Sequence, residues 1–217
     1  MTGLRLLAGV GAMLAATAAC GKNVPQSAPY TFHPSGAAVK VDTPQLRKMK
    51  AAAGIAPCPP TGPADPAPAG GLPELTLPCL GGGRDVRLSG LRGPLVLNFW
   101  AQTCGPCREE SPLLQSLWAK DGATVRVMGV DFFDPRPAYA LAFAREHGLT
   151  YPQVADPDAA SKADLHVAGL PTTLFIDRAG RVAYTQVGAI ESPGQLHDLI
   201  LEHLGVAVPA ARPAPAR

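Results

Sequence analysis

The run Trp100-Ala-Gln-Thr-Cys-Gly-Pro-Cys-Arg108 constrains this chain more than any other feature. It follows an apolar stretch, Pro94 to Trp100, with the character of a buried strand, and it precedes a segment patterned as a helix to about Lys120. Between a strand and a helix, C-x-x-C reads as a redox pair rather than half of a zinc site. A zinc site needs two further ligands, and neither a second closely spaced cysteine pair nor a paired histidine motif supplies them. No metal and no cofactor are expected. A purely structural bridge between Cys104 and Cys107 would close too short a loop to stabilise much.

Position gives the two sulfurs different roles. Free N–H groups and the dipole at a helix N-terminus favour a thiolate, so Cys104 is predicted to be the nucleophile. Cys107, one turn further in, is predicted to resolve the mixed disulfide that Cys104 forms. Pro106 can start the helix because its missing N–H would have had no partner there, and Gly105 lets another chain approach.

Strands alternate with helices on either side of this motif. Leu75–Leu77 and Val86–Leu88 read as short strands joined by Gly81-Gly-Gly83. Beyond the motif come a strand at Val125–Asp131, a helix at Pro137–His147, a short strand at Pro152–Val154 and a helical turn at Ala159–Leu165. Strands at Thr172–Ile176 and Val182–Val187 then flank the turn Asp177-Arg-Ala-Gly180, and a helix at Pro193–Leu204 closes the domain. The pattern predicts an α/β domain over 72–208, with a central mixed sheet flanked by helices and an N-terminal strand or hairpin extension.

The flanks differ in composition. Between Gly54 and Pro73, proline or glycine fills 11 of 20 positions, which excludes a continuous helix. Residues 20–71 are therefore expected to be a largely extended linker, with a short helix at Gln45–Ala53, and 209–217 a frayed tail. At the N-terminus, Arg5 precedes an apolar run from Leu6 to Ala19 that ends in small residues before Cys20-Gly21. That is the pattern of a signal peptide over 1–19, and the run is shorter than a bilayer span. Small residues before a cysteine resemble the lipobox of bacterial lipoproteins, although Thr17 stands where leucine is usual. Lipidation of Cys20 would anchor the chain at a membrane; plain secretion and an uncleaved anchor are the alternatives. A net charge of +2 offers neither a basic stripe for nucleic acid nor an acidic tail.

Three runs together resemble the TlpA/ResA group of thioredoxin-fold, membrane-attached extracytoplasmic thiol-disulfide oxidoreductases: Val96-Leu-Asn-Phe-Trp-Ala101, Cys104-Gly-Pro-Cys-Arg-Glu-Glu110 and Gly169-Leu-Pro-Thr-Thr-Leu-Phe-Ile-Asp177. The resemblance implies a cis peptide at Leu170-Pro171, packed against the cysteine pair, where the Leu170 backbone can bond an incoming extended peptide. It implies a proton-transfer role for Glu110, three residues after Cys107. A helix glutamate near an N-terminus is also favourable without any such role. Thioredoxin carries a buried aspartate where this chain has Asn98, so that proton relay does not transfer. Gln102-Thr103 likewise departs from the commoner tryptophan before the first cysteine.

The resemblance further implies a monomeric reductase of disulfides in exported proteins, apocytochrome c among them, supplied by a membrane electron donor of the CcdA type. A disulfide oxidase or isomerase is the neighbouring alternative, since one fold supports a wide range of potentials. A copper module of the Sco type would use C-x-x-x-C. Peroxidase chemistry wants threonine or serine three positions before its cysteine, where this chain has Ala101. Cys58 and Cys79 flank the proline-rich stretch. A disulfide between them would contribute about 3 kcal/mol through loop closure, while a second redox pair or two free thiols are the alternatives. His147, His166 and His197 are expected at surfaces or helix ends.

Overall fold

A computed structural model describes residues 38–61 and 67–208 of this chain. The expected signal peptide, the lipidation site Cys20 and the tail 209–217 lie outside the described residues. Among the described residues no helix is long and apolar enough to cross a membrane.

Five strands make the central sheet: β3 (Leu95–Trp100), β4 (Arg126–Phe132), β5 (Gln153–Asp156), β6 (Thr172–Ile176) and β7 (Val182–Val187), in the order β5-β4-β3-β6-β7. β3 runs parallel to β4 with Leu95 opposite Arg126, and antiparallel to β6 with Leu95 opposite Ile176. The sheet is therefore mixed, with the thioredoxin arrangement that the motifs imply. β1 (Thr76–Leu77) and β2 (Val86–Arg87) pair antiparallel as a separate hairpin. Its turn holds Gly81, Gly82 and Gly83 at positive φ, and a Cβ on Gly82 would meet the Asp42 carboxylate at 2.4 Å.

Strand alternation divides the core in two. Val96, Trp100, Val127 and Phe175 face a cluster built with the helices α1 (Pro44–Ala52), α2 (Gly105–Asp121), α3 (Pro137–Glu146) and α4 (Pro193–Leu204). Leu95, Leu97, Phe99, Met128 and Ile176 face the opposite side, where Leu72, Leu77, Val86, Leu88 and Leu165 cover them. The described helices thus cover one face, and the hairpin and the loop before β6 cover the other.

One expectation changes and one is refined. Residues 38–61, assigned on composition to an extended linker, include a part that is packed: Val41, Leu46, Ala53 and Ile55 are buried against the helix face. Thr43 caps α1 by accepting from the Leu46 N–H at 3.2 Å, and Pro44 occupies the first turn where it costs no hydrogen bond. Proline and glycine mark where a helix stops, not whether its neighbours find a core. The helical turn expected at Ala159–Leu165 is present, with the Leu165 N–H donating to the Ser161 carbonyl at 3.1 Å, but it lies within a series of turns and is not part of a regular helix. Ala159 and His166 both take φ of 53°, and the Asp156 carboxylate accepts from the Ala160 and Ser161 N–H groups and from the Ser161 hydroxyl.

Candidate active site

Cys104 and Cys107 sit where β3 hands over to α2. Cys104 is the N-cap of α2, held by its N–H donating to the Ala101 carbonyl at 3.0 Å, with Pro106 in the first turn. Their sulfurs are 1.96 Å apart, joined as a disulfide. The Cys107 N–H points at Cys104 Sγ from 3.1 Å, so the same donor would stabilise a Cys104 thiolate on reduction. Cys104 is partly exposed while Cys107 is buried, which leaves Cys104 as the sulfur a partner can reach.

Beneath the pair lies Trp100, stacked on Phe143 with ring centroids 4.9 Å apart, its Nε1 donating to Gln153 Oε1 at 3.0 Å. Gly129 makes room for that bond, since a Cβ there would come within 1.9 Å of Gln153 Oε1 and 2.8 Å of Trp100 Nε1. The guanidinium of Arg108 lies 5.9 Å from the Phe143 ring centre.

Glu110 is 1% exposed on the inward side of α2. Its Oε1 accepts from Asn98 Nδ2 at 2.6 Å and its Oε2 from the Ile190 N–H at 2.9 Å. Burial pushes its carboxyl up from 4.5 to about 7, against the downward pull of those two donors. A group that titrates near neutrality can both accept and return a proton. Asn98 also donates to Thr173 Oγ1 at 2.9 Å, so one amide ties β3, α2 and β6 together below the cysteines.

Pro171 is buried and joined to Leu170 by a cis peptide. Leu170 packs against the same cluster that contains Cys104 and Cys107, and the Pro171 carbonyl accepts from the Gly188 N–H at 2.9 Å. Cys104, Cys107 and Leu170 thus share one cluster or its border, and Glu110 follows Cys107 by one turn of α2. Cys58 and Cys79 do not: they form a disulfide that packs on the other face, with Cys79 bridged to Val154 at the β5 edge.

Several residues of this region were not singled out from sequence as partners of the site. The sequence marks Asn98 only as a missing relay and Thr173 only as part of the Gly169–Asp177 run, and Ile190 belongs to no motif. An asparagine within the apolar run Leu95–Trp100 was the available signal. Asp131, another polar residue in an apolar strand, is fully buried, and neither carboxylate oxygen finds a hydrogen-bond partner among the described residues. Burial, with the Asp134 carboxylate nearby, holds its carboxyl well above the usual range. No group of three or more His, Cys, Asp or Glu side chains suited to a metal occurs among the described residues.

Comparison with known proteins places this geometry. The profile of the AhpC/TSA family matches residues 68–185. The chain is 39% identical over 99 residues to a thiol:disulfide interchange protein DsbE homolog of Paracoccus denitrificans, covering 45% of this chain and 52% of that protein. It is 36% identical over 112 residues to the thiol-disulfide oxidoreductase ResA of Geobacillus kaustophilus, covering 50% of this chain and 63% of the relative. The matched region therefore spans about half to two thirds of these relatives. A crystal structure from Chlorobium tepidum, of a protein assigned as a thiol:disulfide interchange protein DsbE, superposes with a TM-score of 0.55 at 32% identity, covering 62% of this chain and 96% of that one.

Proposed function

This chain belongs to the AhpC/TSA family, and from that premise we propose that it is an extracytoplasmic thiol-disulfide oxidoreductase that reduces disulfides of exported proteins through Cys104 and Cys107. The observation that carries the reading is the Cys104–Cys107 pair at the N-terminus of α2, with its outer sulfur partly exposed and its inner sulfur buried one helical turn before Glu110, whose carboxyl burial pushes up to about 7. The signal-peptide pattern over 1–19 and the lipobox-like Cys20 support an exported chain held at the membrane surface.

The reaction proceeds in two exchanges. The Cys104 thiolate bonds to one sulfur of the substrate disulfide, and the other substrate sulfur leaves with the electron pair and takes up a proton. Cys107 then gives up its proton and attacks Cys104 Sγ, forming the Cys104–Cys107 disulfide and releasing the second substrate thiol. Glu110, one helical turn from Cys107, is the group suited to accept that proton. The substrate lies extended against Leu170-Pro171. Apocytochrome c cysteines are the substrate, and a CcdA-type membrane protein the electron source, that this reading favours.

The reduction potential of the pair tests it. Equilibrating the protein against glutathione and counting free thiols should give a value below about −230 mV for a reductase fed from the membrane. A value above about −180 mV would reassign the chain as a disulfide oxidant or isomerase, and absence of exchange would end the enzyme reading.

A further inference from the structure

The Cys58–Cys79 bridge has surroundings that a purely structural disulfide does not need. Lys50 of α1, 9% exposed, donates from Nζ to Cys79 Sγ at 2.8 Å and to the Gly82 carbonyl at 2.8 Å. The carboxylate nearest to it in sequence, Asp42, is taken by Arg47 at 2.6 and 2.9 Å. In the oxidised protein the Lys50 ammonium has no carboxylate at hydrogen-bond distance; its two acceptors are the Gly82 carbonyl and a bonded sulfur, a weak acceptor that carries no charge, while Asp42 acts on it only from further away. On reduction, a Cys79 thiolate would supply an anion at hydrogen-bond distance, closer than the Asp42 carboxylate that Lys50 otherwise feels. The other sulfur has a partner of the opposite kind. Cys58 Sγ lies 3.2 Å from the Gln153 carbonyl oxygen, which can accept from a Cys58 thiol. The two sulfurs thus have waiting partners suited to one thiolate and one thiol.

Access is asymmetric as well. Cys58, 6% exposed, borders an open groove with Pro57, Pro60, Gly82, Arg84 and Lys50 itself, whereas Cys79 is 1% exposed and not among the groove's lining. The sulfur that is easier to reach is the one without the cation, and the buried one is the better leaving group.

We propose that Cys58–Cys79 is a second thiol-disulfide exchange site, in which a dithiol attacks Cys58 Sγ and Cys79 leaves as a thiolate paired with the Lys50 ammonium. In the first step a dithiol sulfur, its proton already lost to solvent, bonds to Cys58 Sγ as a thiolate while the Cys58–Cys79 bond breaks, its electron pair going to Cys79. The dithiol's second sulfur, having lost its proton to solvent, then closes on the first. Cys58 leaves with the electron pair and takes a proton from solvent, and the resulting thiol donates a hydrogen bond to the Gln153 carbonyl. The dithiol is oxidised by two electrons and the Cys58–Cys79 pair reduced by two. The reaction is independent of Cys104 and Cys107.

The test uses the full chain carrying Cys20→Ser, Cys104→Ser and Cys107→Ser, which leaves Cys58 and Cys79 as its two cysteines. It is exposed to dithiothreitol under native conditions, quenched by alkylation and read by mass spectrometry, with circular dichroism following the fold. The expected result is reduction of the pair in the folded protein, slowed about tenfold by Lys50→Met and largely restored by Lys50→Arg. Reduction seen only where the chain unfolds would overturn the inference. So would equal rates for the parent and a folded Lys50→Met variant. Should Lys50→Met not fold, native-state reduction of the parent and the rate of Lys50→Arg still decide. Because the active pair is absent from this protein, neither outcome bears on the activity proposed for Cys104 and Cys107.

Discussion

Asn98 Nδ2 lies 2.6 Å from Glu110 Oε1, deep in the sheet and 12 residues away in sequence. The amide occupies the place where thioredoxin has its buried aspartate, and it holds a carboxyl on α2 instead of supplying one from β3. Because that bond lowers the Glu110 pKa, removing it in Asn98→Ala should raise the titration further above about 7. The same change orphans Thr173 Oγ1 and one Glu110 oxygen, at a cost of about 1–3 kcal/mol of stability. Carboxyl-carbon NMR titration measures the first effect and urea unfolding the second.

Glu110 should also leave a mark on stability against pH. Its folded value, about 7, stands above the ordinary 4.5, so between those pH values the native state holds a proton that the unfolded chain has released. Stability therefore falls as pH rises through this window, by about 3 kcal/mol from this group alone. Glu110→Gln should remove that slope from urea unfolding of the disulfide form. In turnover, Glu110→Gln should slow disulfide exchange about a hundredfold and abolish an inflection near pH 7. A rate that keeps the inflection would assign it to another group.

Asp131 predicts a slope of the same sign, beginning near pH 4. Its carboxyl is held well above the usual range by burial, then by Asp134. The unfolded chain loses this proton near pH 4 while the native state keeps it, so stability declines by about 1.4 kcal/mol per pH unit until the folded group ionises. Asp131→Asn should match the parent's slope below pH 4 and gain on it steadily as pH rises. Parallel curves from pH 3 to 8 would mean that Asp131 ionises normally.

How far the sequence carries the fold depends on whether the determining contacts are local. The strands Leu95–Trp100 and Thr172–Ile176 and the helix after Cys107 announce themselves through apolar runs and a proline at a helix start, and the structure has them within a few residues. The packing of Leu46 and Ile55 was not legible, because it depends on a core assembled with α3 residues some 90 positions later. For the same reason Glu110 was recognisable as a candidate, but its partner in β3, its partner at Ile190 and its near-neutral titration were not. Those follow from a burial that no spacing rule encodes.

The Cys58–Cys79 bridge makes a last prediction, about the segment that carries α1. The bridge spans a separation of 21 residues, and closing such a loop in the unfolded chain is worth about 3 kcal/mol. Cys58→Ala with Cys79→Ala removes that constraint and also takes from the Lys50 ammonium one of its two acceptors, leaving only the Gly82 carbonyl. The second effect adds about 1 kcal/mol and falls on α1. Global unfolding in urea should therefore shift by about 3–4 kcal/mol. Amide hydrogen exchange should show residues 44–56 losing protection before the central sheet does, because α1 then keeps the packing of Leu46, Ala53 and Ile55, the Lys50–Gly82 bond and the Ala56 N–H bond to the Thr150 carbonyl at 2.8 Å but no covalent tie to the hairpin turn. A uniform loss of protection across α1 and the sheet would mean that the bridge stabilises the fold only through the unfolded chain, with no local role for Lys50.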